Sequence, residues 1–308
     1  MLVCMGRDEW TRLATAQHGL LTRAQLRALG VDRWAVRHRV DAGRWLELTP
    51  TVISTTTGDL SRQQMMWLGV LHGGPEALIG DLSAAELAGL RNWHRDDITV
   101  WVPKDADVGA GCHGIRFTPT RRGLAELRSR SSGLPRSRVE PAVLRFASVQ
   151  RSTRTAEGVL AASVQQQLTS PGRLLEWVDK MAPLRGAQRF RLVLAEIAGG
   201  AQSVAEIDIA RMCRRYGLML PTRQVRRRDA SGRLRYTDCE WRLADGTVRV
   251  LEVDGGFHME VEHWEDDLAR QRALTSPDRL VVRCTSRELR DEPDRVARDL
   301  LALGVPAA

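Results

Sequence analysis

The sequence predicts a mixed α/β protein of several domains, and three observations carry that expectation. Segments with helical spacing, bounded by capping residues and glycine stops, fill much of residues 1–202, with short β-prone stretches among them. Residues 203–304 instead run α-β-β-β-α-β-α, the order of a central sheet flanked by helices. At 308 residues, with 43% hydrophobic and 27% charged residues, the chain suits two or three domains that each bury a core.

In the first segment, 1–57, Asp8 is placed to cap a helix running to about Gln17. Leu20-Leu21-Thr22 leads into a second helix, Arg23 to Leu29, closed by Gly30, and Asp32 caps a third from Arg33 to about Ala42. The spacing of this third helix sends Trp34, Val36 and Val40 toward a core and leaves Arg33, Arg37 and His38 outward, with Arg44 just beyond. Three short helices followed by the β-prone stretch Trp45 to Thr56 make a winged helix-turn-helix pattern. In that motif the third helix lies in the major groove, so Arg33, Arg37 and Arg44 suit phosphate and guanine contacts and DNA is the expected partner. A small helical subdomain with a solvated charged face fits the same pattern.

Residues 58–127 read as a small α+β domain, with helices Ser61 to His72 and Ser83 to Leu90 and strands Ile98 to Val102 and Ile115 to Thr118. Residues 128–202 read as a linker and helical connector. Arg128 to Pro141 is rich in Arg, Ser and Pro, and Thr155 to Gln167, Gly172 to Met181 and Gln188 to Ala198 are helical up to the break at Gly199-Gly200.

In 203–304, Ser203-Val-Ala-Glu206 opens a helix to about Tyr216, closed by Gly217. Strands follow over Arg223 to Arg228, Leu234 to Trp241 and Thr247 to Asp254, then helix Trp264 to Leu274, strand Leu280 to Cys284 and helix Asp294 to Leu303. Asp238 and Glu252 stand in strand interiors, where acids are disfavoured unless something compensates them. Hard Mg2+ or Mn2+ takes oxygen ligands, so Asp238 and Glu252 suit such a cation, with Asp254 as a further donor. The turn imposes a condition. A two-residue loop Asp245-Gly246 would pair Asp238 with Val253 and put it on the face opposite Glu252. A three-residue loop Ala244-Asp245-Gly246, with Gly246 left-handed, pairs Leu243 with Thr247 and Asp238 with Glu252, and this is the form expected.

Glu206, Gln224, Asp238, Glu252-Val-Asp254-Gly255, His258 and Asp267-x-x-Arg270, in that order, resemble the PD-(D/E)xK nuclease superfamily, within it the branch similar to very-short-patch-repair endonucleases. The resemblance covers about the last hundred residues and implies a restriction-endonuclease-like mixed sheet flanked by helices. It also implies Mg2+-dependent hydrolysis of phosphodiester bonds in DNA. More loosely, the first 120 residues resemble the N-terminal part of abortive-infection type antitoxins. Together these imply a role in defence, in a toxin–antitoxin setting or in repair, with a toxin or other defence-system protein as partner. The implied roles are metal binding for Asp238 and Glu252 and ligation or water orientation for Asp254. His258 would act as proton shuttle or phosphate ligand, Glu206 as support and Gln224 in water positioning. The sequence departs from the superfamily where its lysine would stand: that position is Asp254, and 203–304 contains no lysine. A non-enzymatic regulator or antitoxin with an inactive nuclease-like domain is therefore the alternative.

Each of these residues also has a plainer use. Glu206 completes a capping box with Ser203, Asp254 ends a strand before two glycines, His258 suits a loop and His263 the surface. Asp267 and Arg270 pair along a helix, and Trp264 packs one. The arginines at 223, 226, 227, 228, 233 and 235 concentrate charge beside the acids. Arg226 and Arg228 would bind the phosphate backbone, or the whole set would only protect a sheet edge.

The net charge of +8 lies in 1–202, since 203–304 holds nineteen arginines against nineteen acids, which again places polyanion contact in the first half. The five cysteines are scattered and never form C-x-x-C, which predicts buried thiols of a reducing compartment rather than zinc ligands. No basic leader or run of about 18 apolar residues occurs, so a cytoplasmic protein without a membrane partner is expected.

Overall fold

Short polar residues open several helices of this chain, and the strands between them assemble into three small sheets. The structure, a computed structural model, describes residues 2–109, 111–198, 204–228, 232, 234–254, 272 and 274–308. The fold is mixed α/β. Two compact units form, Met1–Arg151 with Gln166–Ala187, and Ser152–Gln165 with Gln188–Ala308.

The first unit begins with helix α1 (Leu2–Ala16), strand β1 (Leu20–Thr22), helices α2 (Arg23–Ala28) and α3 (Arg33–Asp41), and strands β2 (Leu46–Glu47) and β3 (Val52–Ser54). These strands form an antiparallel sheet in the order β1-β3-β2. Thr22 and Gln25 cap α2 reciprocally, and the Asp32 carboxylate accepts the Ala35 N–H at 2.8 Å to start α3. Gly30, at φ +78°, turns the chain between them. Leu21, Leu26, Val36, Trp45 and Ile53 are buried together. Two expectations fail here. Helix α1 starts at Leu2, so Asp8 lies inside it rather than at its N-terminus. Trp34 is 62% exposed, whereas Val36 is buried and Val40 partly so.

The same unit continues with α4 (Arg62–Gly73), β4 (Leu78–Ile79), α5 (Asp81–Leu87), β5 (Ile98–Pro103), β6 (Ile115–Thr120), α6 (Leu124–Leu127) and α7 (Val139–Val149). Ser61 and Gln64 form the capping box of α4. The second sheet runs β4-β5-β6, antiparallel then parallel, and α4 lays Met66 and Val70 into a core shared with Val100 and Ile115. Within 128–141, expected to be a loop, Arg128 bridges to Ser137 and α7 already starts at Val139. Of the segment expected to connect domains, α8 (Thr153–Gln165) belongs to the second unit and α9 (Pro171–Lys180) to the first.

The second unit holds α8, α10 (Ala187–Ala198), α11 (Val204–Tyr216), β7 (Thr222–Arg228), β8 (Leu234–Arg242), β9 (Val248–Asp254), β10 (Arg279–Thr285), α12 (Ser286–Asp291) and α13 (Pro293–Ala302). Its sheet runs β10-β9-β8-β7, with β9 and β10 parallel and the other pairs antiparallel. Alternation divides its side chains between two faces. Cys239, Trp241 and Leu251 pack against Met212 and Cys213 of α11 and Leu300 of α13, while Val248, Val250 and Val281 gather in a separate cluster. The helix expected at Trp264 to Leu274 falls largely outside the described residues.

Candidate functional site

The β8–β9 hairpin decides which residues meet. Its loop is the three-residue form: the Leu243 N–H donates to the Thr247 carbonyl at 2.8 Å, the Gly246 N–H donates to the Leu243 carbonyl at 3.0 Å, and Gly246 has φ +83°. Asp245 accepts the Thr247 hydroxyl at 2.7 Å and the Thr247 N–H at 2.9 Å. Those bonds, the hydroxyl's first, hold its carboxyl below the usual range. From this turn Arg242 pairs with Val248, Glu240 with Val250 and Cys239 with Leu251. The paired register ends there; carried one step further it would set Asp238 opposite Glu252.

At this step side chains take over from the ladder. The Asp238 N–H donates to Glu252 Oε1 at 3.3 Å, and the Val253 N–H donates to Asp238 Oδ2 at 3.0 Å. Each carboxylate thus satisfies a backbone donor around the other's position, and Glu252 is 9% exposed. Two oxygen-bearing groups from neighbouring strands meet here, as a hard divalent cation requires. The side chain of Asp254 lies outside the described residues, as do His258, His263, Trp264, Asp267 and Arg270. Among the described residues no set of three or more His, Cys, Asp and Glu groups is gathered for a metal.

Glu206 and Gln224 are also brought together. Glu206, buried on α11, accepts a bond from Gln224 Nε2 at 2.8 Å; Ser203, its expected capping partner, lies outside the described residues. Gln224 holds φ +48° within β7, a left-handed conformation that costs a non-glycine residue about 1 kcal/mol. Cys239 is buried on β8, within electrostatic reach of Glu206 and Asp238. Burial, and after it the charges of Glu206 and Asp238, push its thiol far up, so it stays protonated and is no nucleophile. Burial likewise pushes the Cys213 thiol up to about 11. Among the four cysteines whose side chains are described, alkylation of the native protein at pH 8 is therefore expected to spare Cys213, Cys239 and Cys284, all buried, and to modify the half-buried Cys112 first. Mass spectrometry of the labelled peptides reads this, and rapid native labelling of Cys239 would contradict it.

The arginines divide by partner. Arg226 and Arg228 are exposed on β7, and Arg228 also donates to the Gly232 carbonyl at 2.8 Å. Arg227 is instead committed to the buried Glu240, at 2.6 Å, and Arg223 pairs with Glu196 at 3.6 Å. Glu240 also accepts the Thr237 hydroxyl at 2.7 Å. Like Asp238, Glu240 is an acid in a strand interior, so the sequence signal for a compensated acid applies to both.

In the first unit Arg33, Arg37 and Arg44 are all exposed. Arg39 of the same helix as Arg33 and Arg37 is half-buried instead, its guanidinium 4.8 Å from the Trp45 ring and 5.9 Å from that of Trp10.

No protein-family model matches the chain, and no curated protein matches it. Among solved structures, the crystal structure of the RV2827C protein from Mycobacterium tuberculosis is similar, at 17% identity and a TM-score of 0.39, over 62% of this chain and 76% of that one. A likeness that distant transfers no property.

Proposed function

We propose that the protein binds DNA through the α3 region and carries a metal-dependent endonuclease-like centre that hydrolyses phosphodiester bonds, serving defence, a toxin–antitoxin system or repair. The observation that carries this reading is the meeting of Asp238 and Glu252 across β8 and β9. These two would hold Mg2+ or Mn2+, which supplies acidity to a water and positive charge at the scissile phosphate. Gln224 and Glu206, joined on the neighbouring strand and helix, would position groups at its edge, and Arg226 and Arg228 would hold the phosphate backbone. For DNA binding, the order α1-β1-α2-α3-β2-β3 with sheet β1-β3-β2 supports the winged-helix reading, and the exposed arginines of α3 supply the charge. No helix among the described residues is long and apolar enough to cross a membrane.

A second reading, a DNA-binding regulator or antitoxin that does not cut, is favoured by the absence of lysine from 203–304 and by the use of both carboxylates as acceptors for strand N–H groups. Plasmid and single-stranded DNA incubated with Mg2+, Mn2+ or a chelator separate the two. Metal-dependent cleavage supports the first reading, and salt-sensitive binding without cleavage supports the second. Under either, Arg37→Ala and Arg44→Ala are each expected to weaken duplex binding across sequences and to reduce the salt slope by about 1. Unchanged slopes in titrations between low and moderate salt would remove α3 from the interface.

A further inference from the structure

Trp34 is exposed on the very helix that the proposed function places in the DNA, and among the described residues no other tryptophan is exposed. Indole is usually buried, so this position leaves a large apolar surface facing water. The surroundings are specific. The Arg33 guanidinium lies 4.9 Å from the indole centroid, and the pair lines a groove of about 500 Å³ with Arg23, Arg37, Val40, Asp41 and Glu47. Its two acids are engaged, Glu47 by Arg23 at 2.6 Å and Asp41 by Arg37 at 3.6 Å, and Arg33 is left on the ring. The apolar part is one ring beside a valine, too small for a stable protein interface, while arginine predominates in the lining.

Resting on the DNA-binding reading, we propose that Trp34 and Arg33 act together as a base-reading pair for a thymine next to a guanine in the major groove. Ring stacking fixes the guanidinium plane and leaves its edge donors free, which suits bidentate bonding to guanine O6 and N7. The indole beside it offers an apolar surface to the 5-methyl group of the adjacent thymine, the one apolar mark a base pair presents in that groove. Arg37, one turn along, would hold a phosphate.

Binding-site selection from a random duplex library, followed by titration, tests this with wild type, Trp34→Ala, Trp34→Phe and Arg37→Ala. Wild type is expected to enrich sites with thymine beside guanine. Replacing that thymine by deoxyuridine should weaken wild-type binding about fourfold, the worth of one buried methyl. The same replacement should not affect Trp34→Ala, and Trp34→Phe should keep part of the discrimination. The inference is overturned if no such step is enriched, if wild type ignores the missing methyl, or if Trp34→Ala discriminates as wild type does. When Arg37→Ala still weakens binding in those cases, the DNA-binding reading survives alone. If wild type binds no duplex in a salt-sensitive way, both fall.

Discussion

Asp238→Ala and Glu252→Ala are each expected to lower metal-dependent DNA cleavage by on the order of a hundredfold to a thousandfold or more, the range seen when one preorganised electrostatic group is removed from a site. Alanine alone cannot prove the point, because each carboxylate also accepts a strand N–H: Asp238 that of Val253, and Glu252 that of Asp238. Loss of such an acceptor costs about 1 kcal/mol of stability, which by itself would not abolish activity. Asp238→Asn and Glu252→Gln keep an oxygen for the backbone and remove the charge that a divalent cation needs. Cleavage should therefore collapse in all four variants, while thermal stability falls only in the two alanines. Asparagine and glutamine variants that cut at the wild-type rate would show the carboxylates to be strand caps and nothing more. Equal cutting by wild type and all four would point to a contaminating nuclease.

Much of the geometry behind that prediction was legible in the sequence because strand alternation is strict. Asp245-Gly246 marked the turn, and period-two parity left one loop length able to bring Asp238 to Glu252. Trp34 was misplaced for an equally physical reason. Val36 and Val40, four residues apart, share a helix face, but Trp34 lies two residues from Val36, about 200° around a helix of 3.6 residues per turn. The apolar set 34, 36, 40 could not all face one core, and the tryptophan went outward. Helix α7 was hidden by the arginine, serine and proline of 128–141, yet Pro141 sits in its first turn, where no intrahelical N–H is forfeited, and Val143, Leu144, Phe146 and Ala147 bury one side. Helix α12 carries a capping-box signal in Thr285-x-x-Glu288, but at six residues it is too short to show a helical period. No local signal could have disclosed that Gln224 adopts a left-handed conformation and reaches Glu206, since that contact joins β7 to α11.

Gly80→Ala, the smallest change the chain offers at this position, is expected to destabilise the first unit by about 3 kcal/mol or more, the upper end of what overpacking costs. The backbone gives no warning: Gly80 has φ −124° and ψ −177°, extended geometry that alanine adopts freely. Space is the constraint. A Cβ there would lie 2.2 Å from Trp101 Nε1 and 2.3 Å from Cε2, and the rigid indole has little room to retreat. Trp101 is fully buried among Leu78, Leu124 and Leu127, donates its N–H to Asp81 Oδ1 at 3.3 Å, and lies under the Arg145 guanidinium at 5.4 Å. Displacing the ring would also disturb Asp81, whose buried carboxyl is raised by desolvation against the lowering pull of Arg145. For a unit of this size the midpoint should fall by roughly 6–12 °C in a thermal melt. Gly172→Ala is the control, because nothing lies within 4 Å of its Cβ position in the first turn of α9, and it should be neutral or stabilise by up to about 1 kcal/mol. Trp101→Leu in the Gly80→Ala background isolates the clash. Leucine removes the atoms in the way, so it should cost less there than in wild type, with a coupling above about 1 kcal/mol. Additive losses, or a Gly80→Ala melt within about 0.5 kcal/mol of wild type, would mean that the indole can move and that the close packing of Gly80 on Trp101 does not stabilise this unit.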